Sequence, residues 1–152
     1  MTVDQLRREY PYLYPVTLPD YMLDVPAGWS DIVRKLSDRI KSEPIRVRQI
    51  KEKCGGLRFY FSGVSNPNVD SAVMEAEDAS WVTCDFCGSA GVLRENERGW
   101  MKVKCDEHAD GARRVDPSRR DNLPVAIQGL HAPRRDGVAR GFVTLDEWSP
   151  NH

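Results

Sequence analysis

Apolar positions along this chain recur at two different periods, and the period changes at glycines and prolines. After Trp29-Ser30-Asp31, residues Ile32, Val33, Leu36 and Ile40 fall at helical spacing, while Arg34, Lys35, Asp38, Arg39 and Lys41 occupy the opposite face. The segment therefore predicts an amphipathic helix, with Ser30 as N-cap and Asp31 at the positive end of the helix. Glu43-Pro44 ends it, and the period drops to two. Ile45-Arg46-Val47-Arg48 and Leu57-Arg58-Phe59-Tyr60-Phe61 alternate on either side of Cys54-Gly55-Gly56, which predicts a β-hairpin. Its Ile45, Val47, Leu57, Phe59 and Phe61 face offers the helix a docking surface. The alternation slips near Gln49-Ile50, the mark of a bulge. Pro67 then opens a second helical stretch in which Val69, Ala72, Val73, Ala76 and Ala79 form a narrow apolar stripe, with Glu75, Glu77 and Asp78 on a solvent face.

Outside these periodic stretches the texture differs. Through Pro26 the chain is dominated by Tyr and Pro, which block a continuous helix apart from a turn or two at Asp4 to Glu9. It is expected as an extended arm over residues 1–28, with buried tyrosines whose hydroxyls stay wet. Val92-Leu93-Arg94 and Trp100 to Lys104 are two short strands around the polar turn Glu95 to Gly99. Past His108, arginine pairs at Arg113-Arg114, Arg119-Arg120 and Arg134-Arg135 surround two apolar islands, Leu123 to Ile127 and Gly141 to Leu145. The islands are expected to dock on the core, with 113–120 and 134–140 as exposed loops. The fold class is α+β: an extended arm (1–28), a helix-hairpin-helix core (29–80), a ribbon (81–108) continuing that layer, and an irregular arginine-rich extension (109–152).

The candidate chemistry sits in the ribbon. Cys84-Asp85-Phe86-Cys87 and Cys105-Asp106-Glu107-His108 are two ligand pairs, each with two spacers, separated by seventeen residues. That spacing suits a tetrahedral zinc site at the base of a small hairpin, and Gly88 lets the first turn tighten against the sulfurs. Zn2+ held by Cys84, Cys87, Cys105 and His108 would have no open coordination position, so its expected role is structural. A pair of ordinary reduced thiols is the plainer reading, and a thioredoxin-like dithiol lacks the βαβ context it needs.

Composition narrows the rest. A net charge of −1 excludes a global field that would draw the chain to nucleic acid or an anionic membrane, so any such contact needs a local patch. Three of four cysteines serve the metal motif, no apolar run approaches a membrane span, and the first residues lack the core of a signal peptide. A cytoplasmic protein without a small-molecule substrate is expected. Cys54 has no base nearby in sequence and reads as a turn or packing residue, which leaves no catalytic set.

Gly28-Trp29 before a helix, then Gln49-Ile50-Lys51-Glu52-Lys53-Cys54-Gly55-Gly56-Leu57-Arg58-Phe59-Tyr60, a helix, and a Cys-x-x-Cys with Gly99-Trp100 ahead of the closing ligand pair, together resemble a group of small zinc-ribbon proteins of phage and prophage genomes, mostly of unassigned function. The resemblance spans Gly28 to His108. Cys54 stands where an aromatic is expected, and His108 where a fourth cysteine is commoner. A closed metal site and the lack of a catalytic set fit a non-catalytic binding protein acting through protein–protein contacts, and the resemblance implies a host factor, such as a defence component that the chain inhibits, as a partner class. The alternative is nucleic-acid binding through Arg46, Arg48, Arg58 and Tyr60, with Arg113, Arg114, Arg119 and Arg120 added from the extension.

Overall fold

The computed structural model describes residues 1–115 and joins helices and two small antiparallel sheets in an α+β arrangement. Arg119, Arg120, the two apolar islands and the pair Arg134-Arg135 lie outside the described residues. Helix α1 spans Val3–Glu9, α2 Ser30–Ile40 and α3 Pro67–Ser80. Strands β1 (Ile45–Lys53) and β2 (Gly56–Gly63) form the hairpin; β3 (Val92–Glu95), β4 (Met101–Lys104) and β5 (Arg113–Arg114) form the second sheet, in the order β4-β3-β5. None of the helices among the described residues is long and apolar enough to cross a membrane.

The first hairpin and both longer helices follow the periodicities. Val33, Leu36 and Ile40 of α2, Val69, Ala72, Val73 and Ala76 of α3, and Ile45, Val47, Leu57, Phe59 and Phe61 of the hairpin share one buried cluster. The slip in alternation is a bulge at Arg48, where Val47 pairs with Phe61 and Gln49 already pairs with Tyr60. Its extra residue lets Ile50 rejoin Ile45 and Val47 on the buried face. The hairpin loop is two residues, Cys54 at φ 54° and Gly55 at φ 95°. Positive φ at both positions matches the twist of the flanking strands in a tight hairpin, so this thiol sits in a conformation that a non-glycine residue rarely adopts.

Three local expectations are corrected. Ser30 does not cap α2; a single 3-10 turn at Ala27–Trp29 leads directly into the helix, and Ser30 Oγ donates to the Ala27 carbonyl while accepting from the Met1 ammonium at 2.7 Å. Glu77 does not face solvent. It is 1% exposed, because α3 turns it toward β2, where its charge and the larger effect of burial raise the Tyr60 hydroxyl above its ordinary range. The N-terminal arm is not extended but wound into α1 and two 3-10 turns, at Asp20–Met22 and Ala27–Trp29. Thr2 and Gln5 close a reciprocal capping box on α1, and Pro19 and Pro26 each stand just ahead of a turn whose first φ they leave free.

The arm supplies a large part of the core, burying Leu6, Tyr10, Leu13, Tyr14, Leu18, Met22 and Leu23. Its backbone also meets the outer edge of β1 on both sides of the bulge: Val47 N donates to Leu13 O at 2.9 Å and Asp24 N to Ile50 O at 3.0 Å. Against α2, Tyr10 Oη donates to Asp38 at 2.6 Å, and burial with that carboxylate pushes the phenol up to about 12. The Ser37 hydroxyl is already donated to Val33 O, so the buried Tyr14 hydroxyl is the donor in their 2.6 Å contact. Tyr10 and Tyr14 are thus packed, as expected, but hydrogen-bonded to protein groups, whereas Tyr12 and Tyr21 stay exposed.

The hairpin tip carries the core to the ribbon. A Cβ at Gly56 would lie 2.2 Å from the Trp81 ring, and Cys54, Leu93 and Met101 pack with Trp81 and Val103 in a second apolar cluster. Gly56→Ala should therefore lower stability by about 1–3 kcal/mol through overpacking, although its backbone φ needs no glycine. Urea unfolding would show a lower midpoint at unchanged slope; an unaltered midpoint would mean that the tip and Trp81 are not in register.

Candidate metal centre

Each ligand pair is presented by a turn that its own backbone closes. At the first, Gly88 N donates to Cys84 O at 3.0 Å and Cys84 N to Ser89 O at 2.8 Å, with Gly88 at φ 80°. Such a turn aims successive side chains at one point, and glycine adopts it without strain. At the second, Cys105 leads into the 3-10 turn Asp106–His108, closed by His108 N donating to Cys105 O at 3.2 Å. Asp85 N donates to Val103 O at 3.0 Å and so ties the first turn to β4, which carries the second.

The four ligand atoms, three Sγ and an imidazole nitrogen, all lie within 4.8 Å of one another. Cys87 Sγ is 3.7 Å from Cys105 Sγ, and His108 Nδ1 lies 3.1 Å from Cys105 Sγ and 3.9 Å from Cys84 Sγ. Zinc–sulfur bonds of about 2.3 Å at tetrahedral angles separate two sulfurs by roughly 3.8 Å and a sulfur from a nitrogen by roughly 3.6 Å. The cluster brackets those separations and is compatible with a metal ion such as zinc, with His108 Nδ1 the ring nitrogen nearest the sulfurs of Cys84 and Cys105. An ion there would link the two turns and supply no reactive position.

Charge and burial are graded across the cluster. Cys84 is fully buried and Cys87 is exposed, with Cys105 and His108 between them. Hydrogen bonds from Ser89 lower the Cys87 thiol to about 6, whereas burial raises that of Cys105. Cys87 is thus a thiolate open to an arriving cation at neutral pH. The Phe86 ring lies 4.4 Å from the His108 ring and covers one side of it.

Several supporting residues escaped the sequence reading. Lys104 pairs with Asp85 at 2.5 Å, which joins the residue before Cys105 to the residue after Cys84. Arg94, only 7% exposed, donates to Lys104 O at 3.2 Å and to Asp106 at 2.6 Å, so its guanidinium braces the second turn from behind. The available signal was adjacency: Asp85, Lys104 and Asp106 all flank ligands. Gly28 matters most. Its N–H donates to Asp85 O at 2.8 Å, and a Cβ there would lie 2.0 Å from the Cys84 carbonyl oxygen. Beside it, the buried Trp29 donates its indole N–H to Thr83 O at 3.0 Å.

The remaining predicted site residues do not join this cluster. Arg46, Arg48, Arg58 and Tyr60 lie on the first hairpin, where the Arg46 guanidinium stacks over Tyr12 and Arg58 is 9% exposed. Arg113 and Arg114 are not in a loop but form β5 beside β3, exposed, with Arg114 3.6 Å from Asp106. Cys54 is held in the apolar cluster beside Trp81.

Purified protein should carry about one zinc per chain. Chelation or Cys105→Ser should lower the melting temperature by about 10 °C or more, because metal binding in such small sites is folding free energy. Zinc affinity should fall as pH drops, because protons compete with the ion for the three thiolates and the imidazole, a loss readable with a chromogenic zinc indicator. Gly28→Ala keeps all four ligands and should still destabilise the chain by about 1–3 kcal/mol; equal melting temperatures would dissociate the metal turn from α2. Comparison with family models, curated proteins and solved structures finds no match to this chain, so the chemistry of the site rests on its own geometry.

Proposed function

We propose that this chain is a non-catalytic binding protein in which zinc, held by Cys84, Cys87, Cys105 and His108, braces the ribbon as a fixed surface for a protein partner. The observation that carries this reading is the ligand cluster: three sulfurs and one imidazole nitrogen lie within 4.8 Å of one another, and four protein ligands would leave a tetrahedral ion no position at which to activate water. The contacts at Gly28, Trp29 and Trp81 support the same role, since a ribbon held at two places loses little further freedom on binding.

The ribbon's own surface favours a protein partner. Trp81 and Val103 are buried, yet Val82, Phe86 and Trp100 are each 62% exposed. Large aromatic side chains left in water are the type that anchors protein interfaces. The resemblance to phage-associated zinc-ribbon proteins makes a host protein, such as a defence component inhibited by this chain, the partner class.

The test is capture from nuclease-treated host lysate. A single species should be retained by the zinc-loaded chain and lost from a Phe86→Ala/Trp100→Ala variant that keeps its zinc and its melting temperature. Retention of nothing after nuclease treatment, or equal retention by the variant, would end this reading.

A further inference from the structure

The outer face of the first hairpin collects positive charge that no ion pair among the described residues balances. The bulge at Arg48 creates this face: because it restores alternation with Ile50 inward, Arg46, Gln49, Lys51 and Lys53 of β1 all point outward. Across the ladder, Lys51 sits opposite Arg58 and Gln49 opposite Tyr60. Like charges directly opposite one another destabilise a hairpin, and alternation puts Glu52, the strand's one carboxylate, on the other face, where it pairs with Lys102. Among the described residues, none of the ion pairs uses Arg46, Lys51, Lys53 or Arg58. The nearest acidic influence on this face is the buried Glu77, felt at Tyr60.

We propose that this face binds single-stranded nucleic acid, with Arg46, Lys51 and Lys53 meeting phosphates, the buried Arg58 adding its charge from beneath them, and Tyr60 offering a ring for a base. Charge complementarity commits the surface to an anion, and the aromatics select the kind. Tyr60 is half-buried between these cations, with Lys51 Nζ 5.6 Å from its ring centre, and Tyr12, 51% exposed, carries the stacked Arg46 guanidinium. Cations of β1 beside two flat rings, Tyr60 on β2 and Tyr12 on the arm, suit a flexible backbone whose bases can turn out and stack. An acidic protein surface would use the charges and leave the rings idle. The set differs from the one expected from sequence: Lys51 and Lys53 enter it, and Arg113 and Arg114 belong to the ribbon. The inference does not depend on the ribbon's protein partner, and its test uses purified components alone.

The probe is a fluorescein-labelled deoxythymidine dodecamer, titrated with the zinc-loaded full chain and followed by anisotropy. With about three phosphates neutralised, the single-strand slope of roughly −0.7 per contact predicts a loss of affinity of about 18-fold between 50 and 200 mM salt. Lys51→Gln/Lys53→Gln, two half-exposed or exposed positions, should cut that loss to about 2.6-fold. Tyr60→Leu should weaken binding about fivefold or more with the salt slope unchanged, since stacking releases no counterions. Each variant is accepted only with parental zinc content and melting temperature. No binding at 50 mM salt, a slope indifferent to the lysine pair, or competition by poly-glutamate equal to that of unlabelled oligonucleotide would overturn the proposal, the last in favour of an acidic protein.

Discussion

The structure depends on close approach between backbone and backbone at the first metal turn. Gly28 lies against Cys84, Asp85 and Gly88 at distances that no side chain would allow, and its N–H donates into that turn. Because Gly28 immediately precedes α2, the helix that organises the core and the turn that presents half of the ligand set are one rigid unit. Trp29 extends the contact from the buried side by donating to Thr83 O. A metal bound here would therefore stiffen more than the ribbon, since its ligands are continuous with the start of a core helix.

The second junction uses the same device. Gly56 brings the hairpin tip flat against the Trp81 ring, and the Glu52–Lys102 ion pair flanks it. This accounts for the Lys-Glu-Lys-Cys-Gly-Gly-Leu-Arg-Phe-Tyr string in physical terms. Glu52 reaches the ribbon, Cys54 and Gly55 supply the positive φ values of the loop, Gly56 admits the indole, and Leu57 and Phe59 enter the core. Lys51, Lys53, Arg58 and Tyr60 are then left on the opposite face, so one short hairpin serves packing with one side and remains chemically open on the other.

The arm makes that division possible. A two-stranded hairpin packed on helices leaves an edge of unpaired backbone groups, and the arm covers the β1 edge at Leu13 and Asp24 while burying its own leucines and tyrosines. Covering an edge in place of a face, the arm meets the outer side chains where the Tyr12 ring lies beneath the Arg46 guanidinium.

The sequence by itself determined the periodic elements and the ligand set. Helical spacing in α2 and α3, alternation in β1 and β2, and two Cys-x-x-ligand pairs are local properties, and short-range sterics or coordination chemistry decides them. Only the tertiary structure decided the winding of the arm, because proline excludes a long helix but does not choose between an extended path and successive tight turns. It also decided the burial of Glu77, the bracing role of Arg94 and the packing at Gly28 and Gly56. Each of these follows from which surface lies opposite the residue, and a neighbour distant along the chain leaves no periodic trace in the sequence.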